Sequence, residues 1–207
     1  MDMKDRDVWV DPAAERLWTS ATVITFIRVV LTAIPALWAI HDQDMKWVWV
    51  ALVLHWIGDS LDGEVARRRN CETRIGAVMD MVCDRFAVAV IYLGMCWIEP
   101  MFTVPVAIYM FEFMVVDSFL SMAFLAWPIK SPNYFFVVDE RIWKWNWSRP
   151  GKAANSGAFA VLLLLTGWWQ VGLVAALALL IVKCVSLGWL FKIGLPTPTR
   201  PTKAAGV

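Results

Sequence analysis

Four aspartates carry the chemistry this chain can offer: Asp59, Asp62, Asp80 and Asp84. The run reads Asp59-Ser60-Leu61-Asp62-Gly63-Glu64-Val65-Ala66-Arg67, then eight residues, then Gly76, Asp80 and Asp84. Asp59 and Asp62 are three apart, and Asp80 and Asp84 four apart, so each pair lies on one face of a helix. If those helices are antiparallel neighbours, all four carboxylates converge. Like charges that close cannot all stay ionised without cations between them. Ligands that are oxygen only select hard ions, Mg²⁺ or Mn²⁺. Two such ions about 4 Å apart would clamp a diphosphate and stabilise the leaving phosphate. Gly63 and Ala66 remove bulk where a nucleotide would lie against the helix, Gly76 opens the start of the next one, and Arg67 offers a fixed charge to a phosphate.

The elements that must position these acids are membrane helices. The chain has 207 residues, 59% of them hydrophobic and 14 of them Trp, with a mean hydropathy of +0.58. Soluble domains use about 45–50% apolar residues, and Trp favours membrane–water interfaces. A net charge of +1 gives no footprint for nucleic acid. Cys71, Cys83, Cys96 and Cys184 are scattered without a C-x2-C pair, and Cys83, Cys96 and Cys184 read as small hydrophobes in apolar helices.

A span needs roughly 20 mostly apolar residues. Six candidates emerge, at about Thr22–Ile40, Trp47–Val65, Gly76–Trp97, Phe102–Trp127, Ala153–Trp169 and Val171–Ile193. The fold expected is therefore all-α, an integral membrane bundle of six transmembrane helices. The membrane domain covers 22–193, after a juxtamembrane segment over 1–21 and before a cytoplasmic tail over 194–207. Trp9, Val10, Leu17 and Trp18 predict a short interfacial helix over Met1–Trp18. That stretch lacks the apolar core of a cleavable signal. Basic residues crowd the long connections and both ends, including Arg67, Arg68, Arg69, Arg74, Arg141, Lys144, Arg149 and Lys152, whereas the opposite side has Lys46 alone. The positive-inside rule then places both termini and the aspartates on the cytoplasmic side.

The aspartate run resembles the signature of the CDP-alcohol phosphatidyltransferase family, D-x2-D-G-x2-A-R-x8-G-x3-D-x3-D, at every defined position. The resemblance implies a homodimeric six-helix membrane enzyme that moves a phosphatidyl group from CDP-diacylglycerol to an alcohol and releases CMP. It implies that Asp59, Asp62 and Asp80 hold a first metal ion, that Asp80 and Asp84 help hold a second, and that Asp84 takes the acceptor's proton. It also implies that Thr25, Gly63, Ala66, Arg67 and Thr73 contact the CDP donor. A divalent-cation transporter using the same acids has no need of Gly63, Ala66 and Arg67 at those offsets.

Other segments resemble eukaryotic-type phosphatidylinositol synthases: Thr73 through Arg85, Ser148-Arg149-Pro150, Asp117 and Lys183. They point to a polyol acceptor, myo-inositol, with Asp117, Arg149 and Lys183 as acceptor candidates. Asp117 is left between that role and pairing with Lys183 or Arg28. The alternative is glycerol 3-phosphate, giving phosphatidylglycerophosphate, because Gly151 through Asn155 resembles that branch. The fourth helix has Glu112 and Asp117 and no base before Lys130, which serves a phosphate poorly. Glu112, deeper in the helix, reads as structural or at a dimer interface. The alternating Trp143, Trp145 and Trp147 read as an interfacial anchor.

Overall fold

The computed structural model describes residues 8–196. Helices α1 (Ser20–Asp42), α2 (Met45–Arg68) and α3 (Arg74–Ile98) come first. A continuous helical rod, α4 (Pro100–Ala126), follows. After a 3-10 turn at Pro132–Val137 come the short α5 (Glu140–Asn146), the rod α6 (149–166) and α7 (Trp169–Ile193). The described residues contain no β-strand, only an isolated antiparallel bridge between Trp9 and Ile129.

Local chemistry sets the helix ends. Thr19 caps α1 by accepting from the Thr22 amide at 3.2 Å. Asp44 caps α2 through the Lys46 amide at 2.9 Å. Thr73 caps α3 through the Gly76 amide at 3.0 Å. Each oxygen satisfies an amide that the helix itself leaves open. Left-handed residues turn the chain, Gln43 (φ 52°) after α1, Asn70 (φ 49°) before α3 and Gly167 (φ 66°) between α6 and α7.

Helices α1, α4, α3 and α7 are each long and apolar enough to cross a membrane, as a multi-pass membrane protein requires. The other two expected spans are present as helices, but α2 carries Asp59, Asp62, Glu64, Arg67 and Arg68 in its second half, and α6 begins with Arg149 and Lys152. By composition alone the count of crossing helices is therefore four among the described residues.

α1 packs along both α2 and α3, while α4 packs on α7. Two apolar clusters result. One joins Ala36, Leu52, Ile91, Met95, Tyr109, Phe159 and Ala176 from the long helices. The other gathers Leu120, Phe124, Ile129, Phe135, Ile142, Trp147 and Leu190. On α3, Ala77, Val78 and Met81 touch the second cluster and Val88 onward build the first. Asp80 and Asp84 fall at the changeover.

Two expectations are corrected. The interfacial helix over Met1–Trp18 does not form where it is described: residues 8–18 hold one 3-10 turn, Pro12–Ala14, and an otherwise extended strap. Pro12 and the Asp11 cap confine the turn, and the strap's amides and carbonyls go elsewhere. Val10 N donates to Pro128 O at 3.0 Å, and Lys130 N to Val8 O at 3.1 Å. Residues 1–7, and the tail from 197 onward, lie outside the described residues. The tryptophan triplet does not act as one anchor either. Trp147 is buried against Phe135 at 5.1 Å between ring centroids, Trp143 donates to Asn133 O at 2.8 Å, and Trp145 alone is exposed.

Candidate active site

α1, α2 and α3 bring the four aspartates together around a residue from α1. Arg28 is buried, and its Nη1 donates to Asp84 Oδ1 at 2.7 Å and to Asp59 Oδ1 at 3.3 Å. Its Nη2 donates to Asp80 Oδ1 at 2.7 Å, and its Nε lies 3.2 Å from Asp62 Oδ2. The bland account of these acids, that they are salt-bridged interface groups, is half met: they are bridged, but four carboxylates meet one guanidinium. The excess of negative charge persists in a half-buried place, where charge is costly unless paired.

Oxygens of Asp59, Asp62 and Asp80 lie within 4.8 Å of one another, so this cluster could hold a divalent ion. The donor set is all carboxylate, as a hard cation needs. Asp84 stands beside the trio, held by Arg28. Thr25 Oγ1 donates to Asp62 Oδ2 at 2.9 Å and fixes that carboxylate.

Arg28 reaches the acids because α2 has Gly58 there. A Cβ at Gly58 would stand 2.4 Å from both Cγ and Cδ of Arg28. The residue after it is Asp59, so the stem of Arg28 lies across the α2 backbone just where the acids begin.

Two clefts open on either side of the carboxylates. One, of about 560 Å³, is lined by Thr25, Asp62, Gly63, Ala66, Arg67, Thr73, Gly76 and Asp80, among others. It gathers every residue expected to contact the donor. Their side chains are partly engaged within the protein. Arg67 pairs with Glu64 at 3.1 Å. The Thr73 hydroxyl serves the α3 cap and also donates to Arg16 O at 3.3 Å. The other cleft, of about 850 Å³, is lined by Asp59, Asp80, Asp84, Arg85, Glu112, Asp117, Lys152 and Lys183, with Asn146, Asn155 and others. Ala77, Asp80, Ser131 and Asn133 line both.

Of the acceptor candidates, Asp117 and Lys183 meet in the second cleft, with Lys183 Nζ 2.6 Å from Asp117 Oδ1. Asp117 also accepts from Arg85 Nη2 at 2.5 Å. Its open question resolves toward Lys183; Arg28 goes to the other acids. Arg149 is exposed at the start of α6 and lines neither cleft.

The connections close the site from one end. Tyr134 OH donates to Glu72 Oε2 at 2.7 Å. Glu15 of the strap accepts from the Arg74 amide at 2.9 Å and the Ile75 amide at 3.3 Å, and Arg74 donates to Leu125 O.

Arg28, Gly58 and Arg85 help to build this site, and spacing did not assign them. A signal for Arg28 existed, since an ionisable residue inside an apolar span marks a site by default. Gly58 offered none, because its need arises from a contact with α1.

With this helical bundle, its clustered carboxylates and its two clefts, the chain matches the family model for CDP-alcohol phosphatidyltransferase over residues 18–187. It belongs to that family. Among curated proteins it is similar to proteins named phosphatidylinositol phosphate synthase. That of Mycobacteroides abscessus is 34% identical over 74 residues, covering 36% of this chain and 34% of the relative. That of Mycolicibacterium smegmatis is 31% identical over 88 residues, 42% and 40% of the two chains. That of Corynebacterium glutamicum is 30% identical over 97 residues, 45% and 44%. The matches thus span about a third to under half of these relatives' lengths. No solved structure matches. The sequence pointed to the eukaryotic type of inositol-lipid synthase; these relatives are bacterial, and their name adds a phosphate to the inositol lipid.

Proposed function

We propose that the protein transfers the phosphatidyl group of CDP-diacylglycerol to an inositol-type acceptor and releases CMP. The observation that carries this reading is the pair of clefts that meet at Asp80. A transfer between two substrates needs two sites sharing one reacting point, and a channel or a structural subunit does not. The family match and the relatives' name supply the chemical classes.

The carboxylates divide the labour. Asp62 faces the donor cleft, Asp59 and Asp84 the acceptor cleft, and Asp80 both. An acceptor hydroxyl in the second cleft loses its proton to Asp84, its oxygen forms a bond to the phosphatidyl phosphorus, and the bond from that phosphorus to CMP breaks. Asp84 is suited to this because a carboxylate within reach of the hydroxyl can act as general base, and Arg28 holds it in place. Two Mg²⁺ or Mn²⁺ ions, held by Asp59, Asp62, Asp80 and Asp84, would supply Lewis acidity and offset the charge of the diphosphate. Thr25, Gly63, Ala66, Arg67 and Thr73 form the donor side.

Free myo-inositol is the acceptor we favour. Arg85 and Lys183, two of the cleft's three basic residues, are already paired with Asp117. The relatives' name favours inositol phosphate as a second reading, with Lys152 on the cleft wall as the contact. Arg149 lies too far out to belong to either. The fold reading extends to six spans, with α2 and α6 crossing beside the four apolar helices. The basic residues of the α2–α3 and α4–α6 connections lie at the carboxylate end, which the positive-inside rule assigns to the cytoplasm. The homodimer rests on the family resemblance.

The test is CMP release by purified protein with CDP-diacylglycerol and Mg²⁺ or Mn²⁺, with myo-inositol, inositol 1-phosphate or glycerol 3-phosphate in parallel. Release with myo-inositol is expected. Release with glycerol 3-phosphate alone would move the protein to the phosphatidylglycerophosphate branch, and release with none would sink the transfer reading.

A further inference from the structure

We infer that Glu112 determines acceptor specificity, its carboxylate accepting hydrogen bonds from the hydroxyls of a polyol. The inference rests on the reading above and names a residue that the catalytic and metal roles leave unused.

Glu112 is 1% exposed, and neither carboxylate oxygen has a hydrogen-bond partner among the described residues. A buried acid of this kind is retained only where something pairs it. Its neighbours in the cleft are already committed. Arg85 and Lys183 both go to Asp117, and the Arg85 guanidinium rests on the Phe113 ring at 4.6 Å.

The backbone aims Glu112 deliberately. Residues Glu112–Asp117 form a π-helix within α4. In an α-helix, residues five apart point about 140° away from each other. The i→i+5 register of a π-helix stacks them instead, and Glu112 and Asp117 line the same cleft. One carboxylate of the pair is saturated by two cations. The other lines the cleft with both oxygens buried and unpartnered.

A buried carboxyl group with both oxygens unpaired selects a partner that brings hydroxyls to it. The hydroxyls of a polyol fit it, and a phosphate does not. If the acceptor bears a phosphate, Glu112 binds the hydroxyl edge of the ring and the phosphate lies elsewhere in the cleft.

The test is steady-state CMP release by the full-length protein, comparing wild type with Glu112→Gln and Glu112→Leu. Both variants fill the space; Gln keeps one acceptor oxygen and Leu none. KM for myo-inositol should rise about ten- to a hundredfold, most in Glu112→Leu. KM for CDP-diacylglycerol should stay put, and the melting temperature should not fall. An unchanged KM for the acceptor in both variants overturns the inference, as does a lowered melting temperature with both KM values preserved. The wild-type arm judges the function separately. If only a phosphorylated acceptor is used, Glu112 is judged by the KM for that acceptor. If none is used, the transfer reading falls. Glu112 is then judged by whether myo-inositol raises the melting temperature of wild type but not of Glu112→Leu.

Discussion

The two walls of the site solve opposite charge problems. On the α1–α2–α3 side, four carboxylates meet one guanidinium. On the α3–α4–α7 side, one carboxylate meets two cations. The first wall is left short of positive charge and open to ions. The second pairs Asp117 with two cations of the protein itself. A cluster built to bind cations stays under-neutralised, and a cluster built to hold helices together does not.

Exchanging one acid for an amide on each wall tests this contrast most severely. Asp84→Asn should lower kcat by about 10²–10⁴-fold, the range for losing a general base, with the melting temperature unchanged or raised. Asp117→Asn leaves two buried cations short of a partner and should cost about 3–5 kcal/mol of stability, read by thermal melting. Finding Asp84→Asn active, or Asp117→Asn fully stable, would erase the difference between the walls.

Arg28→Met sharpens it. The variant should be destabilised by about 3–5 kcal/mol in chelator, and added Mg²⁺ or Mn²⁺ should restore much of the melting temperature by binding the native state. Asp117→Asn should show no such rescue. Thr25→Val removes the hydroxyl that fixes Asp62. Metal affinity, followed as the concentration of ion needed for half-maximal CMP release, should weaken about 10–100-fold. Gly58→Ala has a smaller effect on stability than the changes at Asp117 and Arg28. It crowds the Arg28 stem and should cost about 1–3 kcal/mol. Gly188→Ala, with nothing within 4 Å of the new carbon, should gain up to about 1 kcal/mol of helix stability.

Much of the first wall was legible in the chain. Asp59, Asp62, Asp80 and Asp84 lie on two helices joined by a short connection, so local spacing is enough to converge them. Six helices fell close to their expected places for the same reason, since length and apolarity are local properties. The second wall was less legible. Asp117 and Lys183 are 66 residues apart, and Arg85 approaches from a third helix. Glu112 read as structural or as a dimer contact from its depth in the span, and the change of register in α4 where it stands is not visible in the sequence. The N-terminal strap was misread as an amphipathic helix because its apolar residues suit either state. Its bonds to Pro128 and Lys130 decide the matter, and no window of sequence contains both partners.

The reach of the Asp117–Lys183 pair bears on how the protein is made. Arg28 and all four aspartates of the first wall are in hand once residue 84 has emerged from the ribosome. The second wall must wait until the last helix is synthesised and inserted. Until then Asp117 sits in a bundle lacking one of its two cations. A nascent chain can therefore assemble the carboxylate half before the second cleft is complete, and truncation between residues 117 and 183 removes one of the two cations that hold Asp117.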